Sequence, residues 1–390
     1  MPDVLAAIGP DLHLWTLRTD GPELAHRGAL TMPARVQYGW PHGRLPIAYI
    51  ACADRGPGSA GRYFLCAVRR DPDGPVLLQE PVPVRDRPIH LTVDAENRHL
   101  IVVYNEPSGL TVHALLPDGT LAPGEPSSPD LDLGVYAHQA RVTPAGDRLI
   151  VPSRGWAQGP GRAAVPGRLN VLSYRDGVVT PERTVDLAGK GGVELFNPRH
   201  VDFHPTRPLL FVALEPQNQL VTLRLDEAGV HDEPLAVTPL LPPGEPAPRQ
   251  LAAALHVHPE GRLVYVSNRA DGIEGGGERG PGWVTPEVPP VFAGGRNSIS
   301  VLGIGGLGGR TEVLREVETG GIFPRTFSVD PTGRLLLVAN MKPMAVREDG
   351  RLRTVPASLA AFRISGSALD PAGSWPIDVG RETMEWMAVL

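Results

Sequence analysis

Hydrophobic residues along this chain gather in short runs that alternate with polar residues or continue almost unbroken, and nearly every run ends at Gly, Pro, Asn or Asp. Alternation marks a half-buried strand, and a short unbroken run marks a strand covered on both faces. Pro or Gly interrupts nearly every window long enough for a helical period, so almost no helix is expected. The strand patterns repeat. RPIHLTVDAENRHLIVVYN, AHQARVTPAGDRLIVPSR, PRHVDFHPTRPLLFVALE, LAAALHVHPEGRLVYVSNR and FPRTFSVDPTGRLLLVANM follow one plan, with a weaker copy in ARVQYGWPHGRLPIAYIACA. Each has an alternating segment, a turn of the type P-x-G-R and a nearly continuous apolar segment ending on a polar residue, which reads as a β-hairpin.

The turn positions Arg44, Arg98, Arg148, Pro208, Arg262 and Arg334 lie 54, 50, 60, 54 and 72 residues apart. Further strand patterns such as LTVHALL, RLNVLSY, QLVTLRL, SISVLGI and SLAAFRI follow the hairpins, so each interval is expected to hold four strands. Four-stranded units at this period predict a β-propeller. Six units are visible. The C-terminal GRETMEWMAVL reads as an innermost strand with no partner after it, and the N-terminal DVLAAIG and LHLWTLR lack an innermost strand before them. Joined in one blade, the two ends close the ring and remove two exposed edges. The expected fold is all-β: a seven-bladed β-propeller of four-stranded blades, with residues 1–390 as a single domain. Segments 155–168 and 270–296 exceed the period. Their Gly and Pro density reads as loop, either lids or binding loops or tolerated surface insertions.

Composition agrees and narrows the function classes. With 45 Gly, 43 Pro and 42% hydrophobic residues, the chain suits many strands and tight turns. A net charge of −6 without a basic block argues against nucleic acid. The N-terminus MPDVLAAIGPDLHLW has no basic-then-apolar leader, and no uninterrupted run of about 18 apolar residues occurs. The expectation is a soluble, cytoplasmic protein that binds no membrane and is a monomer or a weak homo-oligomer. Cys52 and Cys66 are expected to be buried free thiols. His256 and His258 would share a strand face, but His258 leads into PEGR and belongs to the turn, so neither a metal nor another cofactor is expected. GIGGLGG, 303–309, does not match a phosphate-binding loop and reads as strand and turn.

In each hairpin the start of the first strand lies beside the end of the second, opposite the turn. Arg35, Ile89, His138, Arg199, Ala253 and Arg325 stand at first-strand starts, with His90 and His200 one place further on. Tyr104 and Asn105, Ser153 and Arg154, Glu215, Asn268 and Arg269, and Asn340 stand at second-strand ends. Because these hairpins are the inner strands of their blades, all of these residues are expected to ring the mouth of the central channel. Arginine presents a planar fork to carboxylate or phosphate, so the excess of cation predicts a small anionic ligand. His138 and Glu215 are the candidates for proton transfer, with Arg199 and Arg269 beside them in the catalytic set. Arg325, His200, Asn268, Asn340, His90 and Arg35 are the candidates for substrate binding. Taken alone, Arg199 with Glu215 reads as well as a structural salt bridge, and His90 and His200 read better as packing residues. Convergence from different blades is what favours a site.

FPRTFSVDPTGRLLLVAN, NPRHVDFHP, LHVHPEGRLVYVSNR and HQARVTPAGDRLIVP resemble the repeats of the seven-bladed propeller lactonases, a group that includes bacterial 6-phosphogluconolactonases and the fungal carboxy-cis,cis-muconate lactonizing enzyme. The resemblance covers residues 85 to 390 well and the first 80 poorly. It implies active-site roles for a His before the first strand of one blade, the Arg of the next blade's P-R-H motif, the Glu ending that hairpin and the Arg of the following S-N-R. His138, Arg199, Glu215 and Arg269 occupy those places. The pattern departs at Tyr136, where a second His is usual, at Ser153, where Asp is common, and at VVYNEPSG. Three functions follow: a metal-independent lactonase acting on a small anionic lactone, a lactonizing cycloisomerase of the muconate type, or a non-catalytic propeller that binds a ligand or protein.

Overall fold

The repeated turns form because each begins with a side chain that satisfies its backbone. His42, His204 and His258 accept backbone N–H groups through Nδ1, Asp94 and Asp330 through Oδ1, and Thr143 through its hydroxyl. Such side-chain acceptors fix a tight turn without cost to the flanking strands. His258 also donates from Nε2 to the Gly333 carbonyl at 2.9 Å, so it is a turn residue that staples neighbouring blades.

The computed structural model describes residues 1–18, 23–54, 61–156, 161, 163–244, 247–276, 285–306 and 308–390. Their strands form seven antiparallel blades around a central axis. The closing blade runs from Glu23–Thr31 on its outer edge through Asp11–Arg18 and Asp3–Ile8 to the innermost strand Met384–Val389. Val4 faces Val389 and Ala7 faces Trp386 in that register, as the unpaired ends of the sequence required. Among the described residues the only helix is a 3-10 turn, Glu274–Gly276.

Every blade interface holds one apolar cluster, and strand alternation explains why. Leu5 and Ala7 point toward the blade that begins with Val36–Pro41, whereas Val4 and Ala6 point toward the last blade and meet Leu337 and Leu359. Both faces of an inner strand are therefore buried, which is why these strands read as continuous apolar runs. Cys52 and Cys66 lie in one such cluster as buried free thiols.

Three expectations need correction. The blade of Pro88–Val93, His99–Asn105 and Ser108–Ala114 has three strands, not four; in place of a fourth strand, isolated bridges join Val112 to Ser127 and, just past the strand end, Leu115 to Leu121. The last blade carries an added hairpin, Met344–Glu348 with Arg351–Val355, inserted between its second and third strands and packed over Phe323 and Met341. The two long segments are not wholly loop. Trp156 bridges Val165 in the first, and Ile273 bridges Phe292 in the second. Residues 157–160, 162 and 277–284 of these segments lie outside the described residues.

Closure through Met384–Val389 makes a testable demand. Met387 is buried in the cluster that joins the closing blade to the last one. Met387→Asp is expected to lower the free energy of unfolding by about 3 kcal/mol or more, since it removes apolar packing and buries an unpaired carboxyl. A urea melt should show a reduced midpoint; an unchanged midpoint would contradict this closure.

Candidate active site

A β-bulge recurs at the start of the inner strands. Pro198 pairs with Leu214 and His200 with Ala213, so Arg199 stands unpaired between them. Arg325, Ile89 and Glu385 occupy the same unpaired place in their own strands. A bulge turns its extra residue out of the ladder and re-aims the side chain. These four residues, with His138, line both of two stacked volumes in the channel and form a waist between them.

Above the waist, toward the face opposite the turns, lies a basin of about 300 Å³. Among the described residues, seven arginines line it: Arg35, Arg87, Arg154, Arg199, Arg249, Arg269 and Arg325. The described carboxylates that line it are Asp54, Glu215, Asp271 and Glu385. Glu215 is the hub. Its Oε1 lies 3.2 Å from Arg199 Nε and also pairs with Arg269, while Oε2 pairs with Arg154. Arg199, Glu215 and Arg269 are buried. Burial alone would raise the Glu215 pKa, but Arg154, Arg269, Arg199 and Arg325 outweigh it and hold the carboxyl at about 2. One negative charge thus answers three guanidiniums. Arg325 pairs with Glu385 at 3.1 Å, Arg35 with Glu382, and Arg249 with Asp271, while Arg87 is held by the amide oxygens of Gln37 and Asn105.

Two aromatic residues hold the arginines of this hub. Tyr136 and Phe323 have φ of +62° and +60°, a region that bulky side chains rarely enter. Arg154 lies 5.0 Å from the Tyr136 ring centroid and Arg269 lies 4.7 Å from that of Phe323. Tyr136, at the position where the family pattern has a second histidine, is therefore a platform for an arginine. Strained backbone of this kind collects where a side chain must be held in one direction.

His138 lines both volumes, and its Nδ1 is buried without a hydrogen-bond partner. Burial, then Arg199, His200, Arg154 and Arg325, push its pKa well below the ordinary histidine value, so the imidazole is neutral at physiological pH. His200 and His90 are shifted the same way, first by burial and then by nearby arginines. Arg199 Nη1 donates to His200 Nε2 at 3.1 Å, which holds the guanidinium from the side opposite Glu215.

Of the residues expected at the mouth, Arg35, His138, Arg199, Glu215, Arg269 and Arg325 meet around the basin. His90 and His200 do not; they face the volume below the waist. Asn268 and Asn340 line neither volume. Each follows strand alternation into its blade, where Asn268 Nδ2 donates to the Ser298 and Ser300 hydroxyls and Asn340 Nδ2 donates to the Thr319 carbonyl and the Ser358 hydroxyl. They tie the second strand to the third. Sequence reasoning missed Arg87, Arg249, Asp271 and Glu385, and it gave Arg154 and Tyr136 no role. Arg154 stands in its blade where Arg269 stands in another, so the repeat itself carried that signal. Asp271 and Glu385 became visible only with the loop path and the closing register.

The fold and basin define a propeller with an arginine-rich site at its channel mouth. The family described as Lactonase, 7-bladed beta-propeller, matches residues 58–347, and the chain belongs to it; its class is that of the lactone hydrolases. The 6-phosphogluconolactonase of Bacillus subtilis is 23% identical over 286 residues, 70% of each chain. That of an Enterobacter species is 24% identical over 338 residues, 85% of each. Among solved structures, a protein from Lactobacillus plantarum matches with a TM-score of 0.72 at 19% identity, covering 100% of both chains. The periplasmic gluconolactonase of Pseudomonas aeruginosa matches with 0.67 at 16%, covering 100% of this chain and 99% of its own. These structural likenesses show the fold. No helix among the described residues is long and apolar enough to cross a membrane, and they contain no cluster of three metal-ligating side chains.

The buried neutral histidines set a pH dependence of stability. In the unfolded chain His90, His138 and His200 bind protons near pH 6.5, whereas in the folded protein they bind them only at lower pH. Below pH 6.5 the unfolded state therefore holds more protons, and stability falls as pH falls, by roughly 1.4 kcal/mol per pH unit for each such group. Glu215, with its depressed pKa, keeps its contribution above about pH 4.5, so it does not interfere in this window. Calorimetric melts from pH 8 to 5 should show the transition falling below pH 6.5. A transition temperature constant down to pH 5 would contradict the neutral, buried state of these rings.

Proposed function

We propose that the protein hydrolyses a small lactone that carries an acid group, without a metal, at the waist of the channel. The observation that carries this reading is Glu215, one carboxylate among three guanidiniums, which leaves the basin with positive charge that an anionic substrate would balance. Carboxylate and phosphate both fit the arginine fork. Water attacks the lactone carbonyl, and neutral His138 takes its proton. The oxyanion that develops is stabilised by Arg199 and Arg269, which Glu215, His200 and Phe323 hold in place before the substrate arrives. His138 then returns the proton to the ring oxygen as the carbon–oxygen bond breaks, giving the open hydroxy acid.

Glu215 is a poor candidate for proton transfer despite the expectation from the sequence. With a pKa of about 2 it is too weak a base to activate water and carries no proton to deliver at neutral pH. Its role in this reading is electrostatic. The 6-phosphogluconolactonase names of the relatives make a phosphosugar lactone the first substrate to try.

The test is a panel of acid-bearing lactones and of muconates, followed by proton release and by ring formation. Lactone hydrolysis is expected, with kcat reduced about a hundredfold or more in His138→Ala. The rate should stay level from neutral pH downward and fall only well below pH 6.5, because His138 must be unprotonated and its pKa is depressed. Ring closure of a muconate, with no hydrolysis, would replace this reading by the lactonizing one. No turnover of any member would leave a binding propeller.

A further inference from the structure

Below the waist the channel opens again into a chamber of about 250 Å³. Its walls differ in kind from those of the basin. Tyr38, Trp40, Phe327 and Trp386 supply aromatic rings, and His90 and His256 add imidazoles. Gly39 makes room for this wall: a Cβ there would lie 2.6 Å from the Trp386 ring. Each guanidinium that reaches the chamber touches a carboxylate, Arg199 sharing Glu215 with Arg154 and Arg269. Arg141 pairs with Asp202 at 2.8 Å, Arg325 with Glu385 at 3.1 Å and Arg199 with Glu215 at 3.2 Å.

His90 contributes the directional group. Its Nδ1 accepts the Ala140 backbone N–H in a long contact of 3.5 Å, which leaves the proton on Nε2. Nε2 is buried without a partner, in a residue only 1% exposed. A buried donor in this state is costly until an acceptor oxygen reaches it. The Tyr38 ring lies 4.2 Å from the imidazole centroid and the Trp40 ring 5.8 Å, so the N–H belongs to an aromatic wall. Aromatic surface beside a buried N–H donor, with each guanidinium in contact with a carboxylate, suits an uncharged ring that bears oxygen. A cavity of roughly 150 Å³ takes benzene, so this chamber holds one six-membered ring with its hydroxyls.

We propose that the chamber is a ring-binding subsite: the uncharged, hydroxyl-bearing ring of the substrate stacks on Tyr38 and Trp40 and accepts a hydrogen bond from His90 Nε2, while the acid group stays in the arginine basin. The lactonase reading supplies the identity of the ring but not the existence of the subsite. A substrate placed this way spans the waist, with its carbonyl beside His138 and Arg199.

Two ring compounds that cannot be hydrolysed test the subsite apart from turnover: 1,5-anhydroglucitol, a saturated polyol ring, and resorcinol, an aromatic one. Titration calorimetry on the full chain is expected to show saturable binding of one or both, weakened about tenfold in His90→Phe and in Trp40→Ala, each checked for an unchanged circular dichroism spectrum. Preference for the polyol identifies a sugar-like ring, and preference for resorcinol a phenolic one; either supports the subsite. Absence of binding by both, or binding unaltered in both variants, overturns it. Ring binding without lactone hydrolysis would sink the lactonase reading alone. Lactone hydrolysis without ring binding would sink the subsite alone.

Discussion

Three guanidinium groups converge on one buried carboxylate, and the rest of the site depends on that contact. Arg199 and Arg269 are almost completely removed from water, and without Glu215 their burial would leave charges with no counterpart. Removing one partner of such a buried cluster typically costs about 3 to 5 kcal/mol. The same contact leaves the charge account uneven, with more guanidinium than carboxylate at the hub. A site of this kind is stable when empty yet gains when an anion enters. The depressed pKa of Glu215 is the electrostatic signature of that imbalance.

Backbone geometry delivers the side chains to that point. Arg199, Arg325, Ile89 and Glu385 each sit in a bulge at the start of an inner strand, so one local irregularity, repeated in different blades, builds the waist. The apolar clusters between blades keep the inner strands at fixed positions around the axis. Phe323 and Tyr136, held in left-handed backbone conformations, then aim Arg269 and Arg154. Above the waist the channel is cationic and below it aromatic, so the axis has a chemical direction.

The sequence made the architecture legible because a propeller repeats. One hairpin plan, copied six times, revealed both the period and the missing strand that Met384–Val389 supplies. The same logic brought His138, Arg199, Glu215, Arg269 and Arg325 to one place from different blades. It failed where position within a repeat does not fix direction. Asn268 and Arg269 are adjacent, yet only Arg269 reaches the channel, because neighbouring residues on a strand face opposite ways. His90 and His200 were placed at the mouth but lie below it, one residue past the bulge. Arg87, Arg249 and Asp271 come from connecting segments whose paths a repeat cannot predict, and the added hairpin, inserted after the last turn position Arg334, altered none of the turn spacings.

In the proposed reaction the basin recognises the acid group of the lactone. The most direct measurement compares kcat/KM for an acid-bearing lactone and for its uncharged methyl ester, in the wild-type protein and in Arg325→Gln. The acid is predicted to be preferred at least tenfold, with that preference shrinking in the variant and with added salt, because guanidinium charge provides it. Equal turnover of acid and ester, unaffected by Arg325→Gln, would contradict the account.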